Sequence, residues 1–138
     1  MVKPKPDESK MPQVTLVAFS ALALFFLGNY LARYVLGLSG LMLTLVIALG
    51  IGLVMGFSTA RILRRYPSGA ERARLLWIYG GGLGALFFAW AGFVFLSEGF
   101  NESDLLLLML HYLPYPVFAF LFLSNFYFSR FLPKSDRN

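Results

Sequence analysis

Three polar side chains in the C-terminal third of the chain have types that could take part in chemistry. His111 and Tyr112 occur together in HYLPYP, and Asn125 follows a long apolar run. An imidazole can carry a proton or bind a ligand near neutral pH, and an ionisable residue inside a membrane span is a functional candidate. Counted from Asp104, however, His111 lies less than two helical turns, about 10 Å, along its helix. This position favours a structural hydrogen bond near the membrane surface, so the three residues are only a candidate polar site.

No motif in the sequence specifies a reaction. The chain has one His and no Cys, and a metal site needs several ligands of this kind, so we predict neither a metal nor a cofactor. Ion-coupled transport generally needs a carboxylate or a polar cluster within the membrane, and no Asp, Glu, Lys or Arg lies near the middle of an apolar run. This absence argues against ion-coupled transport. Because no motif specifies a reaction, we also do not expect an enzyme.

Positive charge is concentrated in one segment, 61–74, which we call the arginine segment. Its five arginines, out of 12 basic residues in the chain, are Arg61, Arg64, Arg65, Arg72 and Arg74. Loops rich in Lys and Arg stay on the cytoplasmic side of a membrane during insertion. The segment is predicted to be a water-exposed hinge that sets the topology. Alternatively, its arginines bind anionic lipids, each contributing about 1 kcal/mol. Nucleic acid is not a predicted partner, because no basic face carries exposed aromatic side chains.

The elements that must position these residues are membrane helices. Hydrophobic residues make up 58% of the chain and charged residues 14%, whereas soluble domains have about a quarter charged. Four uncharged runs are each long enough to cross a hydrocarbon core of roughly 30 Å as a helix. We predict an all-α membrane protein with transmembrane helices at about 14–34, 41–60, 75–96 and 105–128, in an antiparallel bundle.

The same pattern defines the ends of the chain. Residues 1–12 are predicted to be a flexible tail, residues 13–132 the transmembrane domain, and residues 133–138 a second tail. An even number of spans places both termini on the cytoplasmic side with the arginine segment. The short loops and the composition suggest a bacterial inner (cytoplasmic) membrane.

Two local signals refine the helix boundaries. Ser68 and Glu71 have the spacing of a capping box, which predicts that helix 3 begins near Gly69, before its apolar run. In helix 4, Pro114 and Pro116 each remove a backbone donor and clash with the preceding turn. We therefore expect a kink there, or a break between two half-helices.

Small residues recur at helical spacing in helices 2 and 3. Such residues let backbones approach closely in a bilayer. The predicted packing residues are Gly52 and Gly56 in helix 2, and Gly80, Gly84, Ala85, Ala89 and Gly92 in helix 3. The pattern predicts a close crossing of helices 2 and 3. An alternative is that the glycines unwind helix 3 beside a transport pathway.

These observations favour a non-catalytic accessory or assembly subunit of a larger membrane complex. Its partners would be the lipid bilayer with its anionic lipids, and other membrane subunits or a second copy. The alternative is a homo-oligomeric channel or carrier for a small solute or ion, lined by residues 80–84, His111, Tyr112 and Asn125. A third hypothesis is a lipid-binding regulator that acts through the arginine segment.

Overall fold

Four long apolar helices dominate the computed structural model, which describes residues 5–136. The helices are α1 (Met11–Tyr34), α2 (Gly40–Leu63), α3 (Gly69–Glu98), α4 (Glu102–Tyr112), α5 (Pro114–Leu123) and α6 (Asn125–Phe128), followed by a short 3-10 turn (Lys134–Asp136). Taken together, α4 and α5 form the fourth stretch, Glu102–Leu123, that is long and apolar enough to cross a membrane. The described chain is all-helical, and four of its helical stretches are long and apolar enough to cross a membrane, as the sequence predicts.

Helix α3 begins in the way that the sequence predicts. The Ser68 hydroxyl accepts a hydrogen bond from the Glu71 amide at 3.2 Å, and the Glu71 carboxylate accepts one from the Ser68 amide at 2.6 Å. This reciprocal pair is a capping box, as predicted. The apolar run of α3 starts at Leu75, so the first turn of the helix precedes the apolar run.

The glycine-rich part of α3 remains helical. The helix is continuous over Gly69–Glu98, so the alternative of an unwound segment at residues 80–82 is wrong. Each glycine weakens a helix by about 1 kcal/mol relative to alanine. Unpaired backbone groups in a hydrocarbon environment cost several kcal/mol each, so the intact helix is favoured.

The fourth span is divided at its prolines. Helix α4 ends at Tyr112 and α5 begins at Pro114, with Leu113 between them in a helical conformation. The sequence predicts an interruption only at the prolines of the span 105–128, but Ser124 also adopts an extended conformation and separates α5 from the single turn of α6. The polypeptide therefore changes course just before Asn125.

The helices pack in a ring. Helix α1 contacts α2 and α3, and α5 contacts α2 and α3 from the other side. Within residues 5–136, α2 and α3 share no close backbone contact, so the predicted crossing of these two helices is wrong. Spacing identifies small residues in a helix but not the neighbour that fills the space above them, and here α5 takes that place for α2.

Candidate functional site

The turn within the arginine segment is packed against the protein, while most of the segment is exposed or half-buried. Pro67, Ser68 and Glu71 are buried, although Arg61 and Arg64 at one side are exposed. Burying the carboxylate of Glu71 is costly unless it is paired and hydrogen-bonded. The segment must therefore supply donors to Glu71.

Glu71 accepts hydrogen bonds from three parts of the chain. Arg65 donates from both terminal nitrogens, at 3.0 and 2.8 Å, and the backbone amides of Ser68 and Asp7 donate at 2.6 and 3.1 Å. Burial opposes ionisation of this carboxyl group. The guanidinium and the amide donors outweigh that effect and lower the pKa of Glu71 to about 2. The hydrogen bond from the Asp7 amide to Glu71 therefore connects the N-terminal segment to the start of α3. We call Glu71 and its donors the cluster around Glu71.

The other arginines of the segment also have protein contacts. Arg72 donates to the Asn125 side chain, Arg74 donates to the Thr15 hydroxyl at 3.0 Å, and Arg64 forms an exposed ion pair with Asp136 at 3.2 Å. The guanidinium of Arg61 lies 4.8 Å from the centre of the Phe57 ring. The segment thus connects α1, α6 and the C-terminal turn at one end of the bundle.

Two glycine pairs provide space for the C-terminal aromatic residues. A Cβ atom added at Gly52 would lie 2.8 Å from the Phe122 ring, and one at Gly56 would lie 2.9 Å from the Phe131 ring. On α3, a Cβ atom added at Gly84 would lie 3.1 Å from the Tyr112 hydroxyl. The same hydroxyl donates a hydrogen bond to the Gly80 carbonyl at 2.7 Å. These four glycines face neighbours within the chain.

The other three predicted packing residues of α3 face outward. Ala85, Ala89 and Gly92 are exposed, and a Cβ atom added at Gly92 meets no atom within 4 Å. Gly81 is exposed on the same face, since positions 81, 85, 89 and 92 lie close together around a helix. The small residues of α3 therefore divide between an inner face and an outer face.

The candidate polar site does not come together as one cluster. His111 bonds through Nδ1 with the Leu107 carbonyl of its own helix at 2.8 Å, whereas Tyr112 bonds across to α3. Asn125 accepts a hydrogen bond from Arg72 in the arginine segment. The position of Asn125 results from the interruption of the helix at Ser124.

A polar contact that the sequence reasoning left unassigned lies inside the bundle. Tyr115 is buried, and its side chain interacts with those of Asn29 and Thr44. Tyr115 also packs edge-to-face on Phe25, with ring centres 5.1 Å apart. The three polar residues are far apart in the sequence, so only a search for small polar residues inside apolar runs could have connected them.

A cavity of about 550 Å³ lies between α1, α3 and α4. Helices α1 and α4 share no close backbone contact in the described part of the chain, and the cavity occupies the space between them. Its walls are mainly apolar and include Phe25, Phe87 and Trp90. Its polar lining residues are Arg33, Asp104 and His111.

Comparisons with family models, curated proteins and solved structures found no match to this chain.

Proposed function

We propose that this chain is a non-catalytic accessory or assembly subunit of a larger membrane complex. The observation that supports this proposal is the outward small-residue face of α3, formed by Gly81, Ala85, Ala89 and Gly92. Small residues let the backbones of two membrane helices approach and gain van der Waals contact. The proposed partner is a transmembrane helix of another subunit, seated on this face.

The proposed topology is an antiparallel bundle in a bacterial inner membrane with both termini cytoplasmic. The five arginines of the arginine segment support this orientation through the positive-inside rule. Basic residues at the C-terminal end, such as Arg130 and Lys134, agree with it. In this orientation the cluster around Glu71 is on the cytoplasmic side, and Asp104 is on the opposite side.

Anionic lipids are the second proposed partner. Arg61 and Arg64 are exposed and can contribute to binding an anionic surface, about 1 kcal/mol per residue. Arg65 and Arg72 are half-buried and hydrogen-bonded within the protein, whereas the Arg64 side chain stays 66% exposed in its ion pair with Asp136. The lipid-facing charge is therefore proposed to lie mainly on the first pair.

The experiment is extraction of the complex from native membranes in a mild detergent, with its mass and components determined. The variant Ala85→Leu with Gly92→Leu places bulky side chains on the outer face of α3, and overpacking costs about 1–3 kcal/mol. We expect about tenfold less co-purifying partner. The matched control is Ala23→Leu with Gly50→Leu, because both residues are exposed on other helices and Gly50 has no atom near an added Cβ.

Equal loss in the control variant, or a monomer without partners, would refute the accessory proposal. Recovery of this chain alone as a defined oligomer would support the alternative, a homo-oligomeric channel or carrier. The oligomer would then be tested for solute or ion flux in vesicles. An accessory subunit should conduct nothing by itself.

A further inference from the structure

We infer that the cavity between α1, α3 and α4 binds one phospholipid with a zwitterionic headgroup that carries a primary ammonium group, as in phosphatidylethanolamine. This cavity is separate from the arginine segment and from the outer face of α3, and charged residues lie at one end of it.

The arrangement of polar and apolar residues in the cavity matches an amphiphile. Arg33 lies in the last turn of α1, and Asp104 lies in the first turn of α4. Phe25 lies eight positions before Arg33, about 12 Å along the helix. The charged residues therefore stand at one end, and the aromatic wall extends from there toward the interior of the bundle. An acyl chain fits the wall, and a headgroup fits the charged end.

The two charges are not neutralised by each other. Among residues 5–136, the Arg33 side chain forms no hydrogen bond or ion pair, so it is not paired with Asp104. One oxygen of the Asp104 carboxylate accepts the Asn101 amide at 3.1 Å as part of a capping box. The other oxygen has acceptor capacity left. A cation and an anion held apart in one cavity complement a ligand that carries both charges.

The headgroup chemistry follows from these donors and acceptors. Arginine binds phosphate oxygens through its planar set of N–H donors. A primary ammonium group has three N–H donors and can hydrogen-bond to the Asp104 carboxylate. A trimethylammonium group has none, and an anionic headgroup would place negative charge beside Asp104. The site should therefore prefer phosphatidylethanolamine to phosphatidylcholine and to phosphatidylglycerol.

The two tryptophans of the chain allow a direct measurement. Trp90 lines the cavity and is 61% exposed, whereas Trp77 is 78% exposed and is not among the cavity-lining residues. In the variant Trp77→Phe, fluorescence quenching by lipids with brominated acyl chains reports occupancy beside Trp90. The variant Trp90→Phe leaves Trp77 as the reporter of bulk lipid. Each protein is placed in phosphatidylcholine vesicles that contain a minor fraction of one brominated lipid.

The expected result is a preference at Trp90 of about threefold or more for brominated phosphatidylethanolamine over the other two headgroups, as expected for a few polar contacts. Trp77, which lies three residues after Arg74, should show no preference for phosphatidylethanolamine over phosphatidylcholine. The substitution Arg33→Gln should remove the preference without breaking a contact within the protein. Asp104→Asn should weaken it, while Glu102→Gln, in the same exposed first turn of α4, should not.

Equal quenching by the three lipids at Trp90, or a preference for phosphatidylglycerol, would overturn the proposal. So would a preference that survives Arg33→Gln. If Asp104→Asn disturbs the helix cap, circular dichroism will reveal it, and Arg33→Gln remains decisive.

Discussion

The ion pair between Arg65 and Glu71 gives the sharpest stability prediction for this protein. Replacing Arg65 with Gln leaves the Glu71 carboxylate buried with only two backbone donors, from Ser68 and Asp7. Removing one partner of a fully buried pair costs about 3–5 kcal/mol. Because the Arg65 side chain is 31% exposed, we expect a smaller loss of unfolding free energy, about 2–3 kcal/mol.

The titration behaviour of Glu71 provides a second route to this magnitude. Its pKa falls from 4.5 to about 2 on folding, and each pKa unit corresponds to about 1.4 kcal/mol. The product, about 3.5 kcal/mol, is a net value: burial opposes ionisation, and the guanidinium and the backbone donors together outweigh it. It is of the same order as the loss expected from burial.

The assay is denaturant unfolding in detergent micelles, followed by circular dichroism, for Arg65→Gln, Glu71→Gln and the double variant. We expect the double variant to lose less free energy than the two single variants together, because it leaves no unpaired charge. The control is Arg64→Gln, whose side chain is 66% exposed in its ion pair with Asp136, and for which the expected loss is about 0–1 kcal/mol. If Arg65→Gln and Arg64→Gln are equally stable, or if the effects in the cycle are additive, the buried pair does not stabilise the fold as argued.

Three further predictions follow from the same structure. The folded pKa of Glu71 is depressed, so the stabilising contribution of its carboxylate should be complete above pH 4.5 and lost as the pH falls toward about 2. Acid unfolding of the variant Glu71→Gln should lack this component. An acid unfolding profile unchanged from that of the original protein would contradict the assignment. Substituting Gly52→Leu should lower the unfolding free energy by about 1–3 kcal/mol, since an added Cβ already meets the ring of α5 at 2.8 Å, whereas Gly50→Leu meets no atom there; equal losses would count against the close packing of α2 and α5. Replacing Tyr112 with Phe removes the hydrogen bond to the Gly80 carbonyl and should cost about 0.5–1.5 kcal/mol in the same unfolding assay, while no loss would show that the bond is not formed.

The helical spans and one helix start could be predicted from the sequence because they depend on local patterns. Long uncharged runs specify membrane helices by length, and the spacing of Ser68 and Glu71 specifies a capping box wherever it occurs. A second capping box, formed by Asn101 and Asp104, was missed. The sequence does contain its signal, with Asn at the cap and an acid three residues later.

The parts of the candidate site that could not be predicted depend on which helices are neighbours. The glycines of α2 and α3 suggested that these helices touch, but a small residue only offers space and does not identify the side chain that fills it. In the structure that space is taken by residues of the last span, such as Phe122 and Tyr112. The buried position of Glu71 could not be predicted either, since its donor Asp7 is distant in the sequence.

The sequence by itself determined the local features of this protein: four apolar helices, a concentrated basic segment and no recognisable set of reactive residues. Only the tertiary structure decided that Ser68 and Glu71 of the arginine segment are buried, that Ala85, Ala89 and Gly92 face outward, and that Arg33 and Asp104 line one cavity. The physical reason is that hydropathy and helix spacing act within a few turns of one chain segment. Cavities and ion pairs arise between segments, where the fit of large side chains against small ones selects the neighbours.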